Sequence, residues 1–311
     1  MERRQPAEFV AELKAMAGAA GVAFEDLLLL QCFGDVARCI QGAGSAPFCT
    51  SFALLPPLTR DGVCLVGRNL DYYDHGVGDY ASVLACYRPA GRIPFVTVTW
   101  AGVANGWTLI NEKGIVVSNN TSFGERANSL EGVSTCYLLR LVAERASTVE
   151  EALRIVREAP RACATSMLIA SGRPPDAAIV EFDHEGLAVR RPRDGFVGAA
   201  NEFQALYQPD GGPSPSVSPR IAMAEALARA LRGRATFDDH IAGAPGVPIR
   251  TMNLHCATID ATNLRIKVAM GRIPACDLPL RGFRLTADGL AADAGEPGPA
   301  PAAAGEGSAR P

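Results

Sequence analysis

A thiol, a guanidinium and a carboxylate occur close together in the sequence, in two short runs that suit β-strands. Cys49 begins the first run, and Arg68 and Asp71 lie in the second. Proline and Arg-Asp-Gly breakers separate the runs, which predicts a hairpin. An antiparallel hairpin that folds about Thr59-Arg60 pairs residues whose numbers sum to about 119–121. Cys49 is therefore expected opposite Leu70 or Asp71, with all three groups at one end of a two-stranded ribbon.

This combination of groups suits a nucleophile site. A thiolate attacks a carbonyl, a nearby cation favours the thiolate over the thiol, and a carboxylate fixes the surrounding hydrogen bonds. Side chains alternate between the two faces of a strand, so Arg68 and Asp71 point to opposite faces. Both reach Cys49 only if the strand bends, and Gly67 is the predicted site of a bulge. The alternative interpretation is that Cys49 is a buried packing residue at the start of a strand.

Four segments, in this order, resemble those of the N-terminal nucleophile (Ntn) cysteine amidases. That family includes choloylglycine hydrolases, penicillin V acylase, acid ceramidase and the acyl-CoA:6-aminopenicillanic acid acyltransferases. The resemblance is carried by the segments Cys49-Thr50-Ser51 with Gly67-Arg68-Asn69-Leu70-Asp71, Asn111-Glu112-Lys113-Gly114 with Ser118-Asn119-Asn120, Ala200-Asn201-Glu202-Phe203, and Ser216 to Arg220. It spans roughly residues 48–273, and it implies that Cys49 is a nucleophile.

The resemblance also implies that the chain cleaves itself. Cys49 would cut the Phe48–Cys49 bond through an N-to-S acyl shift, and residues 1–48 would become a propeptide or small subunit. The glycine-rich stretch just before Phe48 would supply the flexibility that self-cleavage uses. The freed α-amine of Cys49 would then act as the base, because an α-amine has a pKa of about 7.7–8.0, near working pH.

Three charged residues receive roles from the same resemblance. Arg68 would favour the thiolate of Cys49. Asp71 would hold the new α-amine and its protons, and Arg220 would orient Asp71 or Cys49.

The oxyanion of a tetrahedral intermediate needs hydrogen-bond donors that are placed beforehand. The resemblance implies that Asn201 donates through its side-chain amide, and that Asn120 or its neighbour Asn119 donates through backbone or side chain. Asn119 is also expected to bind substrate, together with Tyr72 and Tyr73 in the loop beyond the second strand. The alternatives are that the two asparagines form a turn and that the tyrosines cover a sheet edge.

The order of predicted elements is two helices, several strands, two helices, more strands, one helix and closing strands. Periodicity alone predicts a mixed α/β fold with antiparallel sheet. The resemblance implies a four-layer αββα sandwich of antiparallel sheets flanked by helices, the Ntn-hydrolase fold. We expect a helical propeptide over residues 1–48, a catalytic domain over 49–285 and a disordered tail over 286–311, where large apolar residues are nearly absent.

One tempting pair is not expected to act together. His255 and Cys256 are neighbours on a predicted strand, so their side chains point to opposite faces. We expect His255 to be a buried, hydrogen-bonded residue.

Composition excludes several classes of protein. The chain has 311 residues and a net charge of −3, which gives no basic surface for nucleic acid. Its nine cysteines form no C-x-x-C pair, so neither a zinc site nor a thioredoxin motif is predicted, and their odd number favours a reducing compartment. The N-terminus predicts an amphipathic helix and not a signal peptide, and the apolar run Leu27 to Leu30 is far below the ~20 residues of a membrane span. We expect a cytoplasmic protein with no metal or cofactor.

The sequence thus predicts a self-activated cysteine amidohydrolase or N-acyltransferase. It would act on the amide bond of a small N-acyl metabolite through a thioester on Cys49. The acyl group would pass to water or to an acceptor amine, acyl-CoA is a candidate donor, and an identical subunit is a candidate partner. Two alternatives stay open: a cysteine amidase that never cleaves itself, and a binding protein that keeps the fold without catalysis.

Overall fold

Two antiparallel sheets of seven strands each form the framework of the computed structural model. The structure describes residues 1–41, 48–76, 78, 80–122, 128–208 and 217–293. The first sheet has the strand order β10-β1-β2-β11-β12-β13-β14. Its strands are β1 (Phe48–Leu54), β2 (Leu65–Asp71), β10 (Phe196–Ala199), β11 (Asn253–Asp260), β12 (Arg265–Met270), β13 (Arg281–Thr286) and β14 (Gly289–Ala292).

The second sheet follows the chain from one edge to the other, from β3 to β9. Its strands are β3 (Ser82–Tyr87), β4 (Phe95–Trp100), β5 (Thr108–Asn111), β6 (Ile115–Thr121), β7 (Thr165–Gly172), β8 (Pro175–Phe182) and β9 (Leu187–Arg190). Each strand in this sheet is paired antiparallel with its neighbour in the chain, as a meander requires.

Helices cover the outer faces of both sheets. They are α1 (Ala7–Ala20), α2 (Phe24–Gln41), α3 (Thr135–Arg145), α4 (Val149–Glu158) and α5 (Pro219–Ala230). Alternate residues of the strands fill the space between the sheets with small and branched apolar side chains such as Ala53, Val66 and Val116. The opposite residues pack under α3 and α4 on one side and under α5 on the other. The predicted four-layer αββα sandwich is confirmed.

The opening hairpin has the predicted register. Cys49 pairs with Leu70 and Phe48 pairs with Asp71, so each pair sums to 119. The predicted bulge at Gly67 is wrong, because the pairing of β1 with β2 is continuous from Leu54 to Phe48. A bulge lies instead on the neighbouring strand β11, between Asn253 and His255.

Gly67 has a steric reason to be glycine. A Cβ at this position would lie 2.1 Å from the ring of Phe52, which is a buried residue across the hairpin. The close approach of that ring, and no bend in the strand, accounts for the glycine.

The boundaries at the two chain ends are partly different from the prediction. The N-terminal part is helical as expected, but Phe48 already belongs to β1. The predicted tail over 286–311 begins inside the first sheet, where Gly289–Ala292 pairs with β13. Apolar Leu290 and the buried Asp293, which accepts from Arg265 at 2.6 Å, explain why this segment is ordered. Residues 294–311, and the glycine-rich stretch 42–47, lie outside the described part of the chain.

Within the described residues, none of the helices combines the length and the apolar character that crossing a membrane would need.

Candidate active site

Cys49 and Arg68 lie on the same face of the hairpin, directed into the space between the two sheets. The thiol is 1% exposed and the guanidinium is fully buried. Nη2 of Arg68 lies 3.5 Å from Sγ of Cys49. The predicted thiol–cation pair is therefore present.

The second sheet holds Arg68 in this position. Nη1 donates to Oδ1 of Asn120 at 2.8 Å, and Nε donates to Oγ1 of Thr108 at 3.3 Å. The amide nitrogen of Asn120 donates to Oγ of Ser51 at 2.5 Å and to the carbonyl of Ser166 at 3.2 Å. Both ends of the Asn120 side chain are thus engaged in the interior, which fits a residue that positions Arg68.

Asp71 lies on the other face of β2, as the alternation of side chains requires. Its carboxylate accepts from the backbone N–H of Ile249 at 2.9 Å and from Nδ2 of Asn253 at 2.8 Å. Arg220 approaches it to 3.9 Å. Burial raises the pKa of Asp71 from 3.8 to about 6, although these two donors, Arg220 and Arg68 all lower it.

The expectation that Arg68 and Asp71 both reach the thiol therefore needs correction. Arg68 contacts Sγ directly, whereas the observed partners of Asp71 are Ile249, Asn253 and Arg220. The strand does not bend because Gly67 makes no bulge. Arg220 is the residue that connects Asp71 to Cys49, since it contacts both of them.

Asn201 and Arg220 hold the backbone of Cys49. The backbone N–H of Cys49 donates to Oδ1 of Asn201 at 3.0 Å. Arg220, in the first turn of α5, donates to the carbonyl of Cys49 at 2.6 Å, to Oγ1 of Thr50 at 2.8 Å and to Oδ1 of Asn201 at 2.8 Å. The amide nitrogen of Asn201 donates to the carbonyl of Thr121 at 2.7 Å. The prediction that Asn201 donates at the site through its amide nitrogen therefore needs correction, because Asn201 presents its oxygen to Cys49 and its nitrogen to Thr121.

A cavity opens beside Cys49, and residues of the hairpin, of the second sheet and of α2 and α3 line it. Tyr72 and Asn119 line it together with Leu70, Trp107 and Thr121. The side-chain oxygen of Asn119 is buried and has no hydrogen-bond partner among the described residues. Of the two neighbouring asparagines, Asn119 is therefore the one that lines the cavity, and Asn120 faces Arg68. Tyr73 is half exposed and packs on Tyr72, outside the cavity lining.

Comparison with known families fits this geometry. A family model described as acyl-coenzyme A:6-aminopenicillanic acid acyl-transferase matches residues 58–242, more than half of the chain. The chain belongs to this family. It is thus an enzyme of the amidohydrolase and acyltransferase type, as the sequence predicts. Cys49 lies just before the matched residues, so the family match does not include it. Its contacts with Arg68 and Asn201 are what assign it to the site.

Two solved structures share the fold of this acyl-transferase family member. One is an N-acylethanolamine-hydrolyzing acid amidase ortholog from Caenorhabditis elegans, 16% identical, with a TM-score of 0.53 over 68% of this chain and 93% of that chain. The other is a mutant of conjugated bile acid hydrolase from Clostridium perfringens, 13% identical, with a TM-score of 0.52 over 76% of this chain and 97% of that chain. A search of curated proteins gives no match.

Sequence reasoning missed the contribution of α2 to the site of this acyl-transferase family member. Gln31, Phe33, Asp35 and Arg38 of α2 also line the cavity. The ring of Phe33 lies between Tyr72, Trp100 and Trp107, at centroid distances of 5.9, 6.0 and 6.4 Å. These α2 residues carry no motif, and only packing against distant strands reveals them.

A buried polar cluster anchors α2 to the start of α3 and to the carbonyl of Ala164. Asp35 accepts from Oγ of Ser134 at 2.7 Å and from the backbone N–H and hydroxyl of Thr135 at 2.8 and 2.9 Å. Arg38 donates to Asp35 at 2.6 Å and to the carbonyl of Ala164 at 2.5 Å. Asp35 thereby caps the start of α3 with a negative charge, which is a favourable position at a helix N-terminus.

His255 and Cys256 behave as predicted. His255 is buried, and its Nε2 lies 2.9 Å from Oγ1 of Thr108 between the sheets. Cys256 faces the other way and contacts Nε2 of His240 at 3.5 Å. Among the described residues, His, Cys, Asp and Glu side chains nowhere form a group of three or more that could hold a metal ion.

Proposed function

We propose that the chain cleaves its own Phe48–Cys49 bond and then uses Cys49 as the nucleophile of an amidohydrolase or N-acyltransferase. One observation carries this proposal. Sγ of Cys49 has a buried cation at 3.5 Å, while the nitrogen of the same residue is already bound by Oδ1 of Asn201 at 3.0 Å. A nucleophile that uses its own amine as the base needs both atoms held in this way.

In self-cleavage the thiol of Cys49 attacks the carbonyl carbon of Phe48. The C–N bond breaks, the proton of the thiol moves to the departing nitrogen, and a thioester remains on sulfur. Water then hydrolyses the thioester, which leaves a carboxylate on Phe48 and a free α-amine on Cys49. Arg220 and Asn201 would hold Cys49 in place as its bond to Phe48 breaks, because they bind its carbonyl and nitrogen.

In turnover the same sulfur attacks the carbonyl of a small N-acyl substrate. The α-amine takes the thiol proton and passes it to the leaving amine, and the acyl group stays on sulfur as a thioester. Water or an acceptor amine then takes the acyl group from the thioester. Acyl-CoA is a candidate alternative donor that would acylate the same thiol and release CoA. Asn119 is the proposed contact for the substrate amide, because its side-chain oxygen is buried, has no partner among the described residues and lies in the wall of the cavity.

Residues 1–48 are the proposed small subunit, and the site is shared between the two pieces. Support comes from α2, which supplies one wall of the cavity and is tied to Ser134, Thr135 and Ala164 by Asp35 and Arg38. The proposed substrate pocket is mainly apolar and aromatic on the side of Tyr72 and Trp107.

Intact-mass analysis tests the proposal. The wild-type chain should separate into 1–48 and 49–311, and Cys49→Ala should remain a single chain. Cys136→Ala is the matched control, because Cys136 lines the same cavity and this variant should cleave like the wild type. An activated acyl substrate should add the mass of one acyl group to the peptide that begins at Cys49.

Intact mass, combined with assays of amide hydrolysis and of iodoacetamide labelling, separates the two alternatives. An uncleaved chain that hydrolyses amides through Cys49 would be the unprocessed amidase. A chain in which Cys49 neither cleaves nor reacts with iodoacetamide at neutral pH would be the non-catalytic binding protein. Either result overturns the proposal as stated.

A further inference from the structure

We propose that Thr108 and His255 are positioning residues that aim Arg68 at the nucleophile. This inference rests on the proposed role of Cys49. Neither residue touches the thiol, and each acts through Arg68.

The three residues form a chain of contacts across the space between the sheets. Arg68 is on β2, Thr108 is on β5 of the opposite sheet, and His255 is on β11 next to β2. Nε of Arg68 donates to Oγ1 of Thr108 at 3.3 Å, and Oγ1 of Thr108 lies 2.9 Å from Nε2 of His255. All three side chains are buried. The hydroxyl of Thr108 therefore links residues of two neighbouring strands of the first sheet.

The protonation state of His255 fixes which group donates and which accepts in this series of hydrogen bonds. Burial, and next the positive charge of Arg68, hold the pKa of His255 well below its usual value. The ring is therefore neutral, and its Nε2 can accept the hydroxyl proton of Thr108. A Thr108 hydroxyl that donates to His255 keeps its lone pairs for the N–H of Arg68.

The consequence is a guanidinium held on three sides. Its Nε is bound by Thr108, its Nη1 by Asn120 and its Nη2 faces Sγ of Cys49. Two fixed acceptors define the plane of the fork, so the remaining donor points at sulfur. Loss of the Thr108 hydroxyl leaves a buried, charged N–H without an acceptor, and the fork would turn away from Cys49 to find one.

The test compares Thr108→Val with Thr108→Ser, which keeps the hydroxyl. Thr97→Val is the matched control: Thr97 is a buried threonine on the adjacent strand β4, and its hydroxyl has no partner among the described residues. His255→Leu is the second variant. For each protein the rate of Cys49 alkylation by iodoacetamide at pH 7 is measured by peptide mass, which separates Cys49 from the other cysteines. Where an amide substrate is known, kcat and KM are measured separately.

We expect Thr108→Val to slow alkylation of Cys49 by about tenfold to a hundredfold, the factor that corresponds to one hydrogen bond of a charged group. Thr108→Ser should restore most of the rate, Thr97→Val should leave it unchanged, and His255→Leu should give a smaller loss in the same direction. The effect on turnover should fall on kcat and not on KM, because Arg68 acts on the sulfur and not on substrate binding.

A folded Thr108→Val protein that alkylates at the wild-type rate overturns the inference. If Thr108→Val shows no cooperative thermal unfolding, the test uses His255→Leu instead. A wild-type rate of Cys49 alkylation in folded His255→Leu also overturns the inference. A wild-type protein whose Cys49 does not react at all refutes the proposed function itself, and the positioning role with it.

Discussion

Replacing Arg220 by methionine should destabilise the fold strongly, and by an amount that depends on pH. The experiment is done in a Cys49→Ala background, so that the chain stays in one piece. Arg220 donates to the carbonyl of Cys49, to Thr50 and to Asn201 at 2.6–2.8 Å, and its side chain is only 14% exposed. Its partner Asp71 is fully buried. Removing one member of a buried ion pair costs about 3–5 kcal/mol, because the other charge stays behind.

The pH dependence follows from Asp71. Its pKa in the folded protein is about 6 against an ordinary value of 3.8, and Arg220 is one of the groups that lower it. Without Arg220 the folded-state pKa rises further. As pH rises, Asp71 loses its proton in the unfolded chain before it does so in the folded protein. The free energy of unfolding therefore decreases between pH 3.8 and the folded-state pKa of Asp71. The cost of Arg220→Met should therefore be larger at pH 8 than at pH 5, where Asp71 is mostly protonated in the folded variant.

Urea unfolding at pH 5 and pH 8 measures this difference. Arg229→Met is the control: Arg229 lies on the same helix α5, is 37% exposed and pairs with Glu225 at 2.6 Å. An exposed i,i+4 pair contributes about 0.3–0.5 kcal/mol, so this variant should change little at either pH. The reasoning is refuted if Arg220→Met costs no more than Arg229→Met, or if its cost is the same at both pH values. Asp71→Asn added to Arg220→Met should recover part of the loss at pH 8.

Three further predictions concern the site and its hairpin. The rate of self-cleavage should fall as pH drops through about 6, because a neutral Asp71 holds Arg220 less firmly, and Asp71→Asn should remove this step from the pH profile followed by intact mass. Asn119→Ala should raise KM by about tenfold, the factor that corresponds to one hydrogen bond, because its buried, unpartnered side-chain oxygen is the proposed acceptor for the N–H of the substrate amide, whereas Asn105→Ala, which changes another buried asparagine without a partner among the described residues, should leave KM unchanged. Gly67→Ala should lower the free energy of unfolding by about 1–3 kcal/mol through overpacking, because its Cβ would meet the ring of Phe52 at 2.1 Å. Phe52→Leu in the same chain should recover part of that loss in urea unfolding, and an additive result would contradict the steric argument.

Local rules account for what the sequence predicts correctly. The turn residues and the index sum place Cys49 opposite Leu70, because an antiparallel hairpin has few other registers. Alternation places Arg68 and Asp71 on opposite faces, and the same rule separates His255 from Cys256. Each of these predictions involves residues that are close in the chain or paired in one hairpin.

The rest of the site depends on contacts between distant elements. Which of the two asparagines faces the cavity is decided by how β6 packs against the first sheet, and the sequence gives only their order. Thr108 belongs to no recognisable sequence motif. Its proposed role depends on its position opposite Arg68 across the two sheets, where its hydroxyl accepts from Arg68. The predicted bulge at Gly67 was wrong because a glycine in a strand can mark either a bulge or a close approach, and only the position of Phe52 distinguishes them.

The position of α2 bears on how the enzyme would work after cleavage. Asp35 and Arg38 make six hydrogen bonds or ion contacts within a buried cluster at the start of α3. If residues 1–48 left after cleavage, Ser134, Thr135 and the carbonyl of Ala164 would lose these partners. Departure would also strip Phe33 from Trp100 and Trp107 and open the aromatic wall of the cavity to water. Retention of α2 would keep both the polar cluster and the apolar wall intact, so under the proposed cleavage the pocket beside Cys49 would be built from both pieces of the chain.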